Sequence, residues 1–257
     1  MKRGMFDGKA LSCALCAGAM QTATAVGAIL LGSPGVVNFH TGVIDFTRMN
    51  SRTIVTEIAA AGVLLGSYPL DWLIRQTEQY QWAPSSEPVI LAHGFGGNRS
   101  NLLALAAYLR LARFDNVTYF QYPRWQSIDD SAAQLGHLIE EKGGESGVHL
   151  IGHSLGGTIA RRYAADAPAG AVRTLITLGS PYSYGQRSPR EIGIFGDDDP
   201  IVPAPIEDML HPAAFARIVV LQDIGHLALI FHPEVLRIIG TELRANRASE
   251  TAHATTT

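Results

Sequence analysis

The six residues Gly152-His153-Ser154-Leu155-Gly156-Gly157, directly after the apolar run Val148 to Ile151, constrain this chain more than any others. The run reads as a strand, and the segment beyond the motif, to about Ala165, reads as a helix. A strand that turns so sharply into a helix holds its central residue in a strained backbone conformation and lifts that side chain above the sheet. Glycines two residues before and two after Ser154 avoid side-chain collisions in the bend. The helix that follows aims its first N–H groups at the same point, where they favour a developing negative charge. Ser154 is the candidate nucleophile.

The flanking sequence supplies a frame for such a turn. Ala83 to Pro88 is turn-rich, and regular alternation begins after it. Strands are expected at Val89–Ala92, Val117–Phe120, Val148–Ile151, Val172–Leu178, Ile192–Phe195 and Ile218–Leu221. Between them, Asn98 to Ala112, Ser127 to Lys142 and the segment after Ser154 read as helices, with a last one from Leu227 to Leu243. Alternation of this kind predicts the α/β class: a doubly wound, mostly parallel sheet of about six strands with helices on both faces. A chain of 257 residues can bury roughly 70% of its unfolded surface, so it needs no metal or disulfide to fold. Twenty Lys+Arg against 23 Asp+Glu, a net charge of −3, leaves no strong basic excess for a nucleic-acid partner. A hydrophobic content of 47% excludes disorder over most of the length.

The N-terminal third is different. Only Lys2, Arg3, Asp7 and Lys9 are charged among the first 44 residues. The 22 residues from Ala10 to Leu31 are charge-free, enough for a membrane span at about 20 residues per helix. The basic residues before them fit a signal peptide or an anchor, with Ala23-Thr24-Ala25 as a candidate cleavage site. Half of the run is Ala, Gly and Thr, a weak drive into lipid, so a buried extension competes with export. A second apolar stretch, Ile58 to Leu70, is too short to span. It reads as a core or interfacial helix, capped by Asn50 or Ser51, lying on a membrane or on the protein's own surface. Cys13 and Cys16 sit inside the first run and read as small apolar residues, not a redox pair. The expected organisation is an apolar, helical N-terminal extension over residues 1–83, an α/β domain over 84–246 and a polar tail over 247–257. The expected address is a membrane or an exported compartment, with the cytoplasm left open.

From about Pro88 to Leu243 the chain resembles the small serine lipases and esterases of the α/β-hydrolase fold, of the bacterial triacylglycerol-lipase kind. The resemblance rests on His93-Gly94-Phe95-Gly96-Gly97 after the first strand, on Gly152 to Gly157, and on the order Ser, acid, His. It implies an oxyanion hole built from the backbone N–H groups of Phe95 and Leu155. It also implies a general base on a loop after a late strand. Among nine His residues, His226 stands there, after Gln222-Asp223-Ile224-Gly225 and at the opening of the last helix, with His232 the runner-up. The acid must orient that ring. Gly196-Asp197-Asp198-Asp199-Pro200-Ile201-Val202-Pro203 resembles the acid loop of such hydrolases and points to Asp199, with Asp197 and Asp198 as competitors. Three adjacent carboxylates also suit Ca²⁺, but adjacent side chains diverge; no metal and no cofactor is expected.

The resemblance implies hydrolysis of a lipid or other acyl ester: Ser154 attacks, His226 takes its proton, Asp199 holds His226, and an acyl-enzyme is released by water. An acyltransferase, or a deacylase of lipid- or protein-bound acyl groups, would use the same three residues. A non-catalytic binding scaffold on this fold is the reading from another class. Only about a dozen residues separate the fourth and fifth strands, which leaves no room for a cap domain; Ser180 to Arg190 would form a short flap at most. Association with a membrane would come through the N-terminal segment.

Overall fold

A computed structural model of the chain describes residues 37–39, 42–44, 49–78, 87–143, 147–182, 191–205 and 217–254. The Ala10–Leu31 run, the Cys pair and most of the 180–190 flap lie outside them. A two-stranded antiparallel ladder joins β1 (Val37–Phe39) and β2 (Gly42–Ile44). Then come α1 (Ser51–Ser67) and α2 (Leu70–Glu78). The remaining elements alternate: β3 (Val89–Ala92), α3 (Leu103–Leu111), β4 (Val117–Phe120), α4 (Ile128–Gly143), β5 (Val148–His153), α5 (Leu155–Asp166), β6 (Val172–Leu178), β7 (Glu191–Gly196), β8 (Arg217–Leu221) and α6 (Pro233–Ala254). Strands β3 to β8 form one sheet in the order β4-β3-β5-β6-β7-β8, every neighbouring pair parallel.

Side chains alternate across a strand, so each strand feeds two cores. On β3, Val89 and Leu91 enter a core built with α1, α3 and α6, whereas Ile90 and Ala92 enter one built with α4 and α5. Both faces of the sheet are thus covered, as a sheet of wholly parallel strands requires. The doubly wound expectation holds, with all six strands where alternation put them.

Two differences concern the ends. The last helix opens at Pro233, preceded by a 3₁₀ turn over Ala228–Ile230, and not directly at Leu227. Proline disfavours the helical region for the residue before it and is preorganised for the first helical position, so the His232-Pro233 step sets the start. The helix then continues to Ala254 through the stretch read as a polar tail. No proline or glycine follows Gly240 to stop it, and Arg247 anchors it by lying over the Phe114 ring, 4.5 Å from the centroid.

Helix α1 packs on the domain. Asn50 caps it, its Oδ1 accepting the Arg52 and Thr53 N–H groups. Thr53, Glu57, Ala60, Ala61 and Leu64 form its buried face, with Ala60 and Leu64 in the α3/α6 core. Of the two surfaces open to this apolar helix, it uses the protein's own for this face. The opposite face carries Val55 and Val63, both more than half exposed.

Candidate active site

Ser154 joins the last residue of β5 to the first of α5 at φ 53°, ψ −122°. A conformation of this kind costs on the order of 1–3 kcal/mol and persists only where the surroundings over-determine it. Here its N–H donates to Leu178 O at the end of β6 (2.8 Å), and its carbonyl accepts the Gly157 and Thr158 N–H groups (3.1 and 3.2 Å). The glycines are required by close approach. A Cβ on Gly152 would lie 2.4 Å from Gly157 Cα, and one on Gly156 2.4 Å from the His93 carbonyl oxygen. Ser154 and Leu155 are both partly exposed at the open end of this turn.

The 94–97 turn after β3 lies directly against Ser154: a Cβ on Gly94 would meet Ser154 Cβ at 3.1 Å. Gly97 N–H closes the turn on Gly94 O (3.1 Å), and the Tyr68 hydroxyl donates to Gly96 O. Beneath it, His93 stacks on Tyr122 at 4.6 Å, and the Tyr122 hydroxyl donates to His93 O (2.6 Å). Burial lowers the His93 pKa, so this ring is neutral support. The Phe95 side chain is half-exposed and meets Trp125 edge-on at 6.1 Å.

His226 and Asp199 are brought together from loops after β8 and β7. His226 Nδ1–H donates to Asp199 Oδ2 at 2.7 Å, with both groups buried. The other Asp199 oxygen accepts the Ile201 and Val202 N–H groups, each at 2.8 Å, so the carboxylate cannot swing away. With Nδ1 committed to Asp199, Nε2 is the nitrogen with the free lone pair. Gly179, at φ 51°, makes room: a Cβ there would lie 3.1 Å from both Asp199 Oδ2 and His226 Nδ1. Burial opposes a charge on His226, but the Asp199 carboxylate, its hydrogen bond and then Glu57 outweigh it, and the His226 pKa is raised. His153, fully enclosed, is pushed well below the ordinary imidazole value by burial and by His226. Its Nε2–H donates to the His226 carbonyl oxygen (3.1 Å).

The competitors point elsewhere. Asp197 is exposed. Asp198 Oδ2 accepts the Asn50 N–H (3.0 Å) and the Thr53 hydroxyl (2.8 Å). His232 stands at the start of α6 with its Nδ1 accepting the Glu234 N–H (3.3 Å). Among the described residues, no group of three or more His, Cys, Asp or Glu is arranged to hold a metal ion.

Sequence reasoning missed Glu57. It is 2% exposed, and its two carboxylate oxygens accept the N–H groups of Leu227 (2.9 Å) and Ala228 (2.7 Å), the residues immediately after His226. Burial raises its pKa, and those two bonds oppose the shift. The signal was present as a lone carboxylate on the Thr53, Glu57, Ala61, Leu64 face of an otherwise apolar helix.

A parallel sheet in this strand order, with a strained serine on the central strand-to-helix turn, defines a lipase/esterase-like α/β hydrolase. An α/β-hydrolase enzyme from a metagenome of Mar Chica lagoon sediments, Morocco, superposes with a TM-score of 0.50 at 19% identity, over 64% of this chain and 93% of that one. The sequence pattern of the palmitoyl protein thioesterase family matches residues 88–219, and the chain belongs to that family. It is also similar to Lipase 3 of Moraxella sp. (strain TA144), 35% identical over 92 residues, covering 33% of this chain and 29% of the lipase. Lipase 1 of Psychrobacter immobilis is 37% identical over 91 residues, covering 33% and 29%. These matches span less than a third of either lipase.

Proposed function

We propose that the protein hydrolyses carboxylic esters of lipid acyl chains through Ser154, His226 and Asp199. The observation that carries this is the buried 2.7 Å His226–Asp199 pair, tied to the Ser154 turn through the bond from His153, the residue before Ser154, to the His226 carbonyl. Ser154 Oγ attacks the acyl carbonyl carbon while His226 Nε2 takes its proton, forming a tetrahedral oxyanion. The Phe95 and Leu155 N–H groups donate to that oxygen, one from the 94–97 turn and one from the N-terminus of α5. Collapse expels the alcohol, which takes the proton from His226, and leaves an acyl-Ser154 ester. Water, deprotonated by His226, attacks that ester; the tetrahedral species then releases the carboxylic acid and returns the proton to Ser154. Asp199 stays ionised throughout and stabilises the imidazolium.

A second reading, deacylation of thioester-linked acyl groups on proteins, is supported by the family match over residues 88–219. The chemistry is the same, with a thiol as leaving group. Lipid association is supported by exposed large apolar side chains on α1, on α2 and beside the 94–97 turn. Trp72, Leu73, Phe95 and Trp125 are each about half or more exposed, as are Val55 and Val63 on the outer face of α1, and Phe95 meets Trp125. No described helix is long and apolar enough to cross a membrane, so attachment to the lipid surface, or an anchor in residues 10–31, would supply that contact.

The test is hydrolysis of p-nitrophenyl esters from C2 to C16, with a palmitoyl thioester in parallel. A preference for long oxygen esters supports the first reading, and turnover of the thioester alone moves the assignment to the second. Ser154→Ala should abolish both activities and labelling by a fluorophosphonate. Full activity in that variant would remove Ser154 from the chemistry.

A further inference from the structure

Three loops meet at the site, and all three are tied to one stretch of chain that lies N-terminal to the family-matched region. Asn50 and Thr53 bond Asp198, next to Asp199. Glu57 bonds the two N–H groups that follow His226. Tyr68 bonds Gly96 in the turn beside Ser154. Two of these three ties involve carboxylates removed from full solvent exposure, and the Glu57 tie is the most deeply buried.

Resting on the assignment of Ser154, His226 and Asp199 above, we propose that Glu57 is a positioning residue for the general base, and that α1 is the brace that carries it. Its carboxylate caps the Leu227 and Ala228 N–H groups at the start of the 3₁₀ turn, where no side chain of the turn itself does so. A carboxylate capping N–H groups makes short, charge-assisted bonds. On the other side, His153 holds the His226 carbonyl. The peptide joining His226 to Leu227 is therefore held at its carbonyl by His153 and at its N–H by Glu57, while Asp199 holds the ring. Gly225 is part of the fit, since a Cβ there would lie 2.5 Å from Glu57 Cγ.

The negative charge has a second effect. When His226 becomes an imidazolium, the titratable groups facing it are Asp199 from the β7 loop, His153 from β5 and Glu57 from α1. His153 is held neutral, so Glu57 adds to Asp199 in favouring the charged ring. An inert structural strut in the same place would not do this. Removing the charge while keeping the shape should therefore move the base to lower pKa as well as loosen it.

The experiment compares wild type, Glu57→Gln and Glu57→Asp, with rates divided by the concentration of fluorophosphonate-titrated Ser154. In Glu57→Gln the amide still accepts one N–H but sets an NH₂ against the other. We expect kcat to fall on the order of 10- to 100-fold, the scale of a small misplacement of a catalytic group, with KM changed less than about threefold. The acid limb of kcat/KM should move to lower pH. Glu57→Asp keeps the charge on a shorter arm and should keep the wild-type limb while recovering part of kcat. A wild-type kcat and limb in Glu57→Gln, or a loss confined to KM, overturns the proposal. If Glu57→Gln yields no folded protein, Glu57→Asp decides alone: a limb displaced from wild type overturns it. Failure of the triad assignment would instead show as activity retained in Ser154→Ala, whatever Glu57 does.

Discussion

Replacing Arg161 with methionine should remove a large part of this domain's stability. Arg161, on α5, and Glu191, at the start of β7, are both fully buried. The guanidinium donates to Glu191 through Nε (2.8 Å) and Nη2 (2.6 Å) and to Pro181 O through Nη1 (2.6 Å). Thr177 Oγ1–H completes the carboxylate at 2.6 Å. Methionine fills much of the volume but leaves Glu191 charged, buried and bonded by Thr177 alone. Breaking one side of a buried pair costs about 3–5 kcal/mol, and the orphaned Pro181 carbonyl adds roughly 1 kcal/mol. Against a total stability of about 5–15 kcal/mol, that loss is a large fraction. In a domain of this size it corresponds to a Tm lowered by roughly 10–20 °C. The double variant Arg161→Met/Glu191→Leu should recover most of the loss, because an apolar pair of similar volume no longer strands a charge. Urea unfolding followed by circular dichroism, with wild type and both variants at one pH, measures it. A single variant within 1 kcal/mol of wild type, or a double variant no better than the single, would refute the account of the pair as a mutually dependent buried unit.

The acid loop makes a sharper prediction: Asp199→Asn should lower kcat on the order of 10⁴-fold, while Asp197→Asn, at an exposed position, should leave it within about twofold. Equal losses from both would dissolve the distinction between adjacent aspartates. The His226 pKa sets the pH dependence. A protonated base cannot accept the Ser154 proton, so kcat/KM should rise with pH through the His226 pKa, and the raised value puts that midpoint above the ordinary imidazole value. A midpoint below about 6.5 in a kcat/KM profile would contradict the charge environment described.

Much of the site was legible because it is local. Gly152, Ser154, Gly156 and Gly157 sit within one turn, where Gly152 must clear Gly157, although Gly156 and Gly157 also clear His93 and Ser180 from other strands' ends. The six strands were legible for the same reason: buried parallel strands are short apolar runs between turn signals, and helices separate them. The choice among Asp197, Asp198 and Asp199 rested on resemblance alone, since three identical side chains in a row carry no periodicity to tell them apart. Packing separates them. One faces solvent, one holds the cap of α1 and one meets His226.

What the sequence by itself determined was therefore the elbow, the alternation of strands and helices, and the roster of candidate residues. Those features are written in contacts a few residues apart. What only the tertiary structure decided was where the N-terminal helix packs and what Glu57 bonds. Periodicity marks Ile58 to Leu70 as apolar, but the partners of Glu57 lie 170 and 171 positions away at Leu227 and Ala228. A carboxylate is tolerated on a buried face only where N–H donors converge on it, and those donors exist only once the sheet has brought the loop after β8 against α1.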